Sequence, residues 1–332
     1  MKQSEYPDLS VITVCYNARE VLPRCVESVR HLRDENRLSY EHLIIDGAST
    51  DGTAEYVAQL HAEGKVAQYV SEPDAGIYDA MNKGIRMAKG KIIILINADD
   101  ELVADGCYAC CEPILAGRCL YTVGQSQIVD TKGVCTGLTS VDFENVFIRS
   151  PYSHQALFCS TALYREHGGY MVDKRFRIVA DSVWKAQMAA MKIPYEVVPV
   201  VCSRFHLGGV SCSAETHKEC IRLILLNEPY LAKQLPQEPH VMRELLKELR
   251  QIESRCDAVS GQGMGEELMQ QVLAYVRRMA ALLPPAERDR CRSGLLKRRR
   301  RCLFRMLFSR KRHRLKTEAS FCRALVACLQ EV

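Results

Sequence analysis

The stretch Lys91-Ile-Ile-Ile-Leu-Ile-Asn-Ala-Asp-Asp-Glu-Leu102 joins an apolar run to a group of acidic side chains. The run from Ile92 to Ile96 has the length and composition of a buried strand. Asp99 and Asp100 follow closely, so their carboxylates are predicted to lie beyond the carboxyl end of that strand. Open α/β sheets bind ligands in the crevice at this edge. We therefore expect the functional site of this chain there.

Similar apolar runs alternate with helical periodicity through the N-terminal part of the chain, a pattern typical of an α/β domain with a parallel sheet. From about residue 120 to 206 the signals predict that a mixed sheet completes the same domain. From residue 213 onward the periodicity is helical. We predict one domain over 1–212 and a helical appendage over 213–332. The predicted strands are 10–14, 43–45, 67–70, 91–97, 120–129, 156–159 and 195–200, and the predicted helices are 22–32, 53–61, 77–89 and 181–191.

Composition and the first residues indicate a folded intracellular protein. With 332 residues, 47% of them hydrophobic and 26% charged, the chain can build a sizeable core. The stretch from Met1 to Asp8 lacks the features of a signal peptide, and no apolar window reaches the roughly 18 residues that a membrane-spanning helix needs. We expect a cytoplasmic location and reduced cysteines, with Cys107, Cys110 and Cys111 buried in the core.

Positive charge is concentrated in one segment late in the chain. Residues 288–316 contain fourteen Lys or Arg and one acid, whereas the whole chain has a net charge of only +5. Large apolar side chains alternate with these cations, a combination that anionic membrane surfaces bind. Docking of 288–316 on the inner face of the cytoplasmic membrane is the favoured expectation. A solvated helix or a protein partner is the alternative, and no nucleic acid partner is expected.

Acidic residues after a strand favour a divalent cation. Asp99 and Asp100 suit Mg²⁺ or Mn²⁺, which keep positions open for phosphate oxygens and neutralise a diphosphate leaving group. The alternative is that this pair caps the next helix. His206 and His154 are candidate metal-side and acceptor-side groups, and a buried, hydrogen-bonded histidine is the alternative for each.

Two further carboxylates occur at the ends of predicted elements. Asp46 closes the second strand, where its oxygens can accept the imide N–H of a uracil-type base. Asp181 begins a helix in apolar surroundings, where a carboxylate can remove the proton of an acceptor hydroxyl. A helix N-cap is the alternative role for Asp181. Other groups that can contact a nucleotide are Asn17, Gly76, Tyr78, Asn82 and Lys83.

Four ordered segments resemble the nucleotide-sugar glycosyltransferases of family 2, from Ser10 to about Ser211. They are Val-Ile-Thr-Val-Cys-Tyr-Asn-Ala, Ile-Ile-Asp-Gly-Ala-Ser-Thr-Asp-Gly-Thr, the stretch from Asp74 to Gly84, and Asn-Ala-Asp-Asp-Glu-Leu. Capsule, O-antigen and colanic-acid type members are the most similar, through Pro-Tyr-Ser-His-Gln-Ala-Leu-Phe and Gly-Gly-Val-Ser. The resemblance implies the GT-A fold, a nucleotide-binding α/β/α sandwich with a mostly parallel mixed sheet.

The resemblance also implies a reaction and its residues. One sugar would move from a nucleotide diphosphate sugar, UDP favoured, to a glycan or lipid-linked acceptor in cell-surface polysaccharide synthesis. The transfer would be a metal-dependent single displacement with inversion, using Mn²⁺ or Mg²⁺. Asp181 would be the base, and Asp99 the principal metal carboxylate with Asp100 beside it. The implied nucleotide-sugar-binding residues are Val14, Tyr16, Asn17, Asp46, Ser49, Gly76, Tyr78, Asn82, Lys83, Asn97 and Ala98.

The sequence departs from the family pattern at a few positions. Asn97 replaces the first carboxylate of Asp-x-Asp, Ala180 replaces the acid before the base, and Val14-Cys15 replaces the usual Pro. The first two departures leave a non-catalytic nucleotide-sugar-binding protein as the alternative. A nucleotidyltransferase is less favoured because no Gly-rich basic loop follows the first strand. The lack of Gly-x-Gly-x-x-Gly there excludes a dinucleotide-dependent dehydrogenase.

Overall fold

The computed structural model describes residues 6–34, 37–143, 150–208, 219–220, 222–223 and 226–227. All of them lie within the compact unit Met1–Tyr230. The predicted boundary at 212/213, nearly all of the appendage 213–332 and the basic segment 288–316 lie outside the described residues. Those three expectations stay predictions.

Alternating strands and helices build the first half of the sheet. Strand β1 pairs in parallel with both β2 and β4, and β2 pairs in parallel with β3. The β-branched run of β4 is buried on both faces, as expected for a central parallel strand. Each boundary lies within three residues of the predicted one. The elements are β1 Leu9–Cys15, α1 Leu22–Asp34, β2 Tyr40–Asp46, α2 Thr53–Ala62, β3 Gln68–Ser71, α3 Ile77–Met87 and β4 Ile92–Asn97.

The second half adds shorter elements. The two-residue strand β5 and the mostly exposed strand β7 were not predicted, because neither carries an apolar pattern. Strand β9 extends six residues beyond its predicted end. Polar residues continue the strand there, because they pair with the neighbouring strand: the hydroxyl oxygens of Ser203 and Ser126 lie 2.7 Å apart. The elements are β5 Glu101–Leu102, α4 Ala104–Leu115, β6 Tyr121–Val129, β7 Cys135–Leu138, a 3-10 turn His154–Ala156, β8 Leu157–Ser160, α5 Thr161–His167, α6 Ala180–Ala190 and β9 Tyr195–His206.

The described strands form one mixed sheet in the order β3-β2-β1-β4-β8-β6-β9-β5, with β7 paired to β6. Strands β6 and β9 run in the same direction as β1 to β4, whereas β5, β7 and β8 run in the opposite direction. The predicted mostly parallel mixed sheet is therefore confirmed. The carboxyl ends of β1, β2, β3 and β4 lie side by side at one edge.

Helices cover both faces of this sheet. On one face, α1, α2 and α4 bury apolar side chains against the strands, and on the other face α3 and α6 do the same. The α3 face is tightly packed, since a Cβ at Gly84 would lie 2.3 Å from Cγ2 of Ile12. Cys107, Cys110 and Cys111 are fully buried free thiols, as predicted. Among the described residues, no helix is both long and apolar enough to span a bilayer.

Candidate active site

Side-chain hydrogen bonds join the loops that follow β1 and β2. Ser49 Oγ accepts the backbone N–H of Asn17 at 2.7 Å, and Asn17 Oδ1 accepts the N–H of Thr50 at 2.9 Å. Asn17 has a φ of 48°, in the left-handed region that asparagine tolerates. Asn17 and Ser49 therefore lie at the predicted edge, where they fix the two loops to each other.

Asp46 ends β2 and is fully buried. Its carboxylate accepts the Ser49 hydroxyl, the Ser49 N–H at 3.0 Å and the Ser71 hydroxyl at 2.6 Å. The Cys15 thiol lies 3.7 Å from Oδ1. Both carboxylate oxygens of Asp46 are thus used in contacts that hold the ends of three strands together. Its predicted contact with the base stays a prediction.

Tyr16, Gly47 and Asp74 lie at the same edge of the sheet. Tyr16 directly follows β1 and is 67% exposed. Asp74 is half-buried, and its Oδ1 accepts the N–H of Gly76 at 2.8 Å. Among the described residues, Oδ2 of Asp74 has no partner. Gly76 has a φ of 120°, a conformation that residues with a side chain rarely adopt, and this explains the glycine.

Two α3 residues predicted to contact the nucleotide bind neighbouring loops. Asn82 donates from Nδ2 to the Tyr170 carbonyl and accepts the Tyr170 N–H at Oδ1, each at 2.8 Å. Lys83 Nζ donates to the Pro73 carbonyl at 2.9 Å and pairs with Glu72 at 2.9 Å. The side chains of Asn82 and Lys83 therefore hold the loops around α3, and their nucleotide contacts stay predictions.

Asn97, Ala98 and Asp99 form the carboxyl end of β4. The Ala98 N–H donates to the Val14 carbonyl at 3.3 Å, which brings these two predicted residues together. Oδ1 of Asn97 is buried and has no hydrogen-bond partner among the residues described. The Asp99 carboxylate also lacks a partner in the described part of the chain, since Arg24 binds only its backbone oxygen, at 2.7 Å. The end of β4 therefore carries two side chains with oxygens that no described residue binds.

Asp100 is fully buried, and both of its carboxylate oxygens accept hydrogen bonds. The donors are the His206 N–H to Oδ1, at 2.9 Å, and Gln155 Nε2 to Oδ2, at 2.5 Å. Burial, and then the charge of Asp99, raise the pKa of Asp100 to about 7. Asp100 ties the end of β9 and the 3-10 turn to β4, so His206 lies beside the acidic pair. Direct metal contact by Asp100 or His206 stays a prediction.

Glu101 is a residue of this edge that the sequence analysis did not identify. Its Oε1 lies 2.8 Å from His206 Nε2 and 3.3 Å from Arg24 Nε. Its Oε2 lies 3.2 Å from Arg204. Only its position directly after the Asp pair marked it in the sequence. The cluster fixes the His206 ring against β5.

The available ligands fit the predicted ion. Within the described ranges, no group of three or more His, Cys, Asp or Glu is arranged to hold a metal. The unengaged oxygens of Asn97 and Asp99 are nevertheless hard ligands of the kind that Mg²⁺ and Mn²⁺ prefer. Such ions commonly take their other ligands from substrate phosphates and water. Asn97 and Asp99 therefore suit an ion that the donor completes.

Asp181 lies in the first turn of α6, with 12% of its side chain exposed. Lys185 Nζ donates to its Oδ2 at 2.6 Å, and the Tyr78 hydroxyl lies 3.0 Å from its Oδ1. The buried ammonium also donates to Ser150 Oγ and the Tyr152 carbonyl, at 2.9 and 2.8 Å. Burial alone would raise the pKa of Asp181, but the Lys185 cation and these hydrogen bonds lower it below its ordinary value. The carboxylate is therefore ionised at neutral pH, as a base requires.

Glu219 holds the start of the helix that carries Asp181. Its buried carboxylate accepts the N–H groups of Arg177, Ile178 and Val179 at 2.9, 2.7 and 3.0 Å. Val179 is the N-cap residue, so the alternative that Asp181 caps the helix is wrong. No local sequence signal identifies Glu219, because it lies 40 positions from Val179.

His154 lies near Asp181 with one nitrogen free. Its Nε2 is buried and has no partner among the residues described, unlike the alternative of a fully hydrogen-bonded histidine. Burial lowers the pKa of His154 to about 4, against the opposing charge of Asp181. The imidazole is therefore neutral at physiological pH. Its role on the acceptor side stays a prediction.

Known proteins share this sequence pattern. The family model described as Glycosyl transferase family 2 matches residues 10–163. A Mycobacterium tuberculosis protein described as an uncharacterized glycosyltransferase is 32% identical over 213 residues, covering 63% of this chain and 79% of that relative. This chain belongs to glycosyltransferase family 2. A PGL/p-HBAD biosynthesis glycosyltransferase of Mycobacterium bovis is 26% identical over 219 residues, covering 62% and 79% of the two chains.

Two solved structures share the fold. Staphylococcus aureus TarS 1–349 in complex with UDP-GlcNAc has a TM-score of 0.56 at 15% identity, covering 98% of this chain and 92% of that chain. Mannosyltransferase PcManGT from Pyrobaculum calidifontis, in complex with GDP-Man and Mn²⁺, has a TM-score of 0.54 at 18% identity, covering 99% and 87%. The predicted family, enzyme class and GT-A type fold are confirmed.

Proposed function

We propose that this glycosyltransferase moves one sugar from a nucleotide diphosphate sugar, with UDP favoured, to a glycan or lipid-linked acceptor by inverting single displacement. The observation that carries the proposal is the ionised Asp181 carboxylate, held by Lys185 and Tyr78 with a small exposed side. The TarS complex with UDP-GlcNAc supports a nucleotide-sugar donor. The relative named for PGL/p-HBAD biosynthesis supports a biosynthetic role.

Asp99 and Asn97 serve the leaving group in this proposal. They hold Mg²⁺ or Mn²⁺, which, when bound, neutralises the charge that develops on the diphosphate. The Mn²⁺ complex of PcManGT supports this choice of ion. Both carboxylate oxygens of Asp100 accept hydrogen bonds from the protein. Asp100 therefore positions His206 and the end of β9 next to Asp99.

Asp181 acts on the acceptor. Its carboxylate takes the hydroxyl proton as the acceptor oxygen attacks the anomeric carbon. The new carbon–oxygen bond forms while the bond from that carbon to the phosphate oxygen breaks. Lys185 and Tyr78 each contact one carboxylate oxygen, which fixes the base while leaving further lone pairs to accept the proton. Attack from the face opposite the diphosphate inverts the sugar configuration.

His154 and the basic segment belong to the acceptor side of the proposal. The buried, neutral Nε2 of His154 can exchange a hydrogen bond with a sugar hydroxyl close to the base. The basic residues of 288–316 would hold the enzyme at an anionic membrane surface on the cytoplasmic side, where a lipid-linked acceptor is found.

The test is nucleotide diphosphate release from a panel of UDP-, GDP- and dTDP-sugars with Mn²⁺ and an acceptor extract. We expect metal-dependent release from one UDP-sugar, abolished by Asp99→Asn and lowered about 10²- to 10⁴-fold by Asp181→Asn. Asp105→Asn is the matched control, because Asp105 is an exposed residue of α4 that pairs with Arg37. Normal nucleotide diphosphate release by a folded Asp181→Asn enzyme would show that Asp181 is not the base. Release without metal would show that the reaction does not need the divalent ion.

A further inference from the structure

We propose that Tyr78 is a positioning residue that serves both protonation states of the base. Its hydroxyl donates to Asp181 while the carboxylate is ionised, and it turns to the Ile178 carbonyl once Asp181 has taken the proton of the acceptor. The hydrogen bond between Tyr78 and Asp181 therefore reverses direction in each turnover. The inference rests on the proposed function, because Asp181 is the base there.

The Tyr78 hydroxyl lies against two oxygens. Its Oη is 2.6 Å from the Ile178 carbonyl oxygen and 3.0 Å from Oδ1 of Asp181. A phenol has one O–H to donate and can also accept a hydrogen bond. A full hydrogen bond can therefore go to only one of the two oxygens at a time. Because a carbonyl oxygen only accepts, the contact with Asp181 is the one that can reverse.

An ionised Asp181 draws the hydroxyl proton of Tyr78. Hydrogen bonds to a charged acceptor are about twice as strong as those to a neutral one, so the carboxylate competes with the shorter contact to the carbonyl. Lys185 Nζ donates to the other carboxylate oxygen, Oδ2, at 2.6 Å. The base then has one donor on each oxygen, which fixes the plane of the carboxylate before the acceptor binds.

A protonated Asp181 reverses this preference. The acceptor proton neutralises the carboxylate, while the Lys185 ammonium, which can only donate, keeps Oδ2 as its acceptor. The new O–H is therefore on Oδ1, the oxygen that faces Tyr78. The Tyr78 proton turns to the Ile178 carbonyl, 2.6 Å away, and the Tyr78 oxygen accepts from the carboxyl group. Asp181 returns the proton to water after the product leaves.

Only the hydroxyl hydrogen of Tyr78 has to move. Burial, and then the charge of Asp181, raise the pKa of Tyr78 well above its ordinary value, so the phenol keeps its proton. Its ring packs against the Tyr170 ring, with centroids 5.4 Å apart. The Ile178 N–H donates to the buried carboxylate of Glu219 at 2.7 Å, which holds the backbone beside the carbonyl. The ring and both acceptors thus stay in place while the O–H rotates.

The other polar groups around Asp181 do not offer this reversal. The Lys185 ammonium cannot accept a hydrogen bond, and the Ser182 hydroxyl is farther away, at 3.5 Å from Oδ1. The remaining ionisable groups near Asp181 make no hydrogen bond to it in the described part of the chain. They are His154 of the 3-10 turn, Tyr152, Tyr170 and Cys220.

The first experiment is Tyr78→Phe in the full-length protein, which removes the hydroxyl and keeps the ring. With Mn²⁺ and the UDP-sugar that the donor panel identifies, we expect kcat to fall about tenfold or more, the factor expected for one hydrogen bond to a charged group. The KM of the donor and the Kd of UDP should stay within about twofold, because both contacts of the hydroxyl are to the protein.

Tyr108→Phe is the matched control for Tyr78→Phe. Tyr108 lies on α4, and its hydroxyl also donates to a backbone carbonyl, that of Leu32, at 3.0 Å. It contacts no carboxylate of the site, so this variant should keep the wild-type kcat. Thermal melting confirms that each variant is folded.

Infrared spectroscopy at neutral pH tests the reversal without turnover. In Asp181→Asn the side-chain oxygen must face the Lys185 ammonium, so the NH₂ group faces Tyr78 and donates to it. This variant therefore imitates the protonated base. In protein with ring-labelled tyrosine, the C–O stretching band of Tyr78 should shift between the wild type and Asp181→Asn. The same spectra of proteins that carry Tyr78→Phe assign the band.

The outcomes separate this inference from the proposed function. A wild-type kcat in Tyr78→Phe, a loss confined to the KM of the donor or the Kd of UDP, or an unshifted band in Asp181→Asn would each overturn the inference. An inactive Asp181→Asn enzyme would in those cases still support the proposed function. Conversely, the band could shift as expected in a protein whose Asp181→Asn variant transfers sugar normally, and then only the proposed base would fail.

Discussion

Lys185 and Asp181 form a buried ion pair one helical turn apart, at 2.6 Å. A base works in its ionised form, so activity falls as the pH drops through the pKa of Asp181. The Lys185 cation keeps that pKa below its ordinary value. In Lys185→Met, burial raises the pKa of Asp181, so the acid limb of kcat/KM should move up by about one pH unit or more. The measurement is the pH profile of sugar transfer.

The matched control for Lys185→Met is Lys65→Met, because Lys65 pairs with the exposed Glu63 after α2. Loss of one partner of a buried pair also costs about 3–5 kcal/mol of stability, so the profile is recorded well below the melting temperature. An acid limb in the wild-type position would show that Lys185 does not set the protonation of the base. The double variant Lys185→Met/Asp181→Asn should have the same pH profile as Asp181→Asn alone.

Helix α3 is joined to the segment before α6 by the Asn82 amide. Asn82 satisfies both the N–H and the carbonyl of Tyr170, at 2.8 Å each. Asn82→Ala leaves those two backbone groups without their partners, which we expect to cost about 1–3 kcal/mol per group and to lower the melting temperature. The Kd of UDP should stay within about twofold of wild type, a shift of under 1 kcal/mol.

The contrary outcome for Asn82→Ala is informative, because the sequence pattern places this residue at the nucleotide. A large loss of UDP affinity with an unchanged melting temperature would support the predicted nucleotide contact of Asn82. Asn17→Ala is a suitable comparison, since the Asn17 amide also accepts a backbone N–H, that of Thr50.

Glu219 holds the segment that leads into helix α6. Its buried carboxylate accepts the N–H groups of three consecutive residues, 177–179, which directly precede the first helical residue, Ala180. Glu219→Gln removes the negative charge and turns one acceptor into a donor. We expect a loss of about 1.5–3 kcal/mol per affected hydrogen bond and a lower kcat, because Asp181 lies on this helix.

A melting curve and a kcat measurement on Glu219→Gln test the role of this residue. Glu196→Gln is the control, because Glu196 is a partly exposed carboxylate of β9 that pairs with Arg118. Wild-type melting and kcat in Glu219→Gln would show that other groups hold the start of α6.

At the scale of the whole molecule, the local sequence pattern was enough to predict the strands and the acidic residues at their ends. The apolar runs located β1 to β4, and Asp99 lies at the predicted edge because it follows such a run directly. The sequence did not reveal how the side chains are paired. The contact between Tyr78 and Asp181 joins residues 103 positions apart, and it exists only because α3 and α6 pack on the same face. The occupied oxygens of Asp46 depend in the same way on three strand ends meeting.

The uneven charge along the chain leads to a prediction for the whole protein. The full-length enzyme should float with anionic phosphatidylglycerol liposomes at low salt and not with neutral phosphatidylcholine liposomes. Each Lys or Arg near such a surface contributes about 1 kcal/mol, and residues 288–316 carry fourteen. Replacing the five cations of 297–301 with Gln should therefore release most of the protein from the vesicles.

The matched control for this variant replaces five exposed cations elsewhere in the chain, namely Arg19, Arg30, Lys65, Lys91 and Arg118. Both variants lose the same net charge, so a difference between them measures the position of the charge and not its total. Binding should also fall steeply with added salt, because the attraction is screened within about 8 Å at physiological ionic strength. Equal flotation of both variants would mean that the segment 288–316 is not the membrane contact.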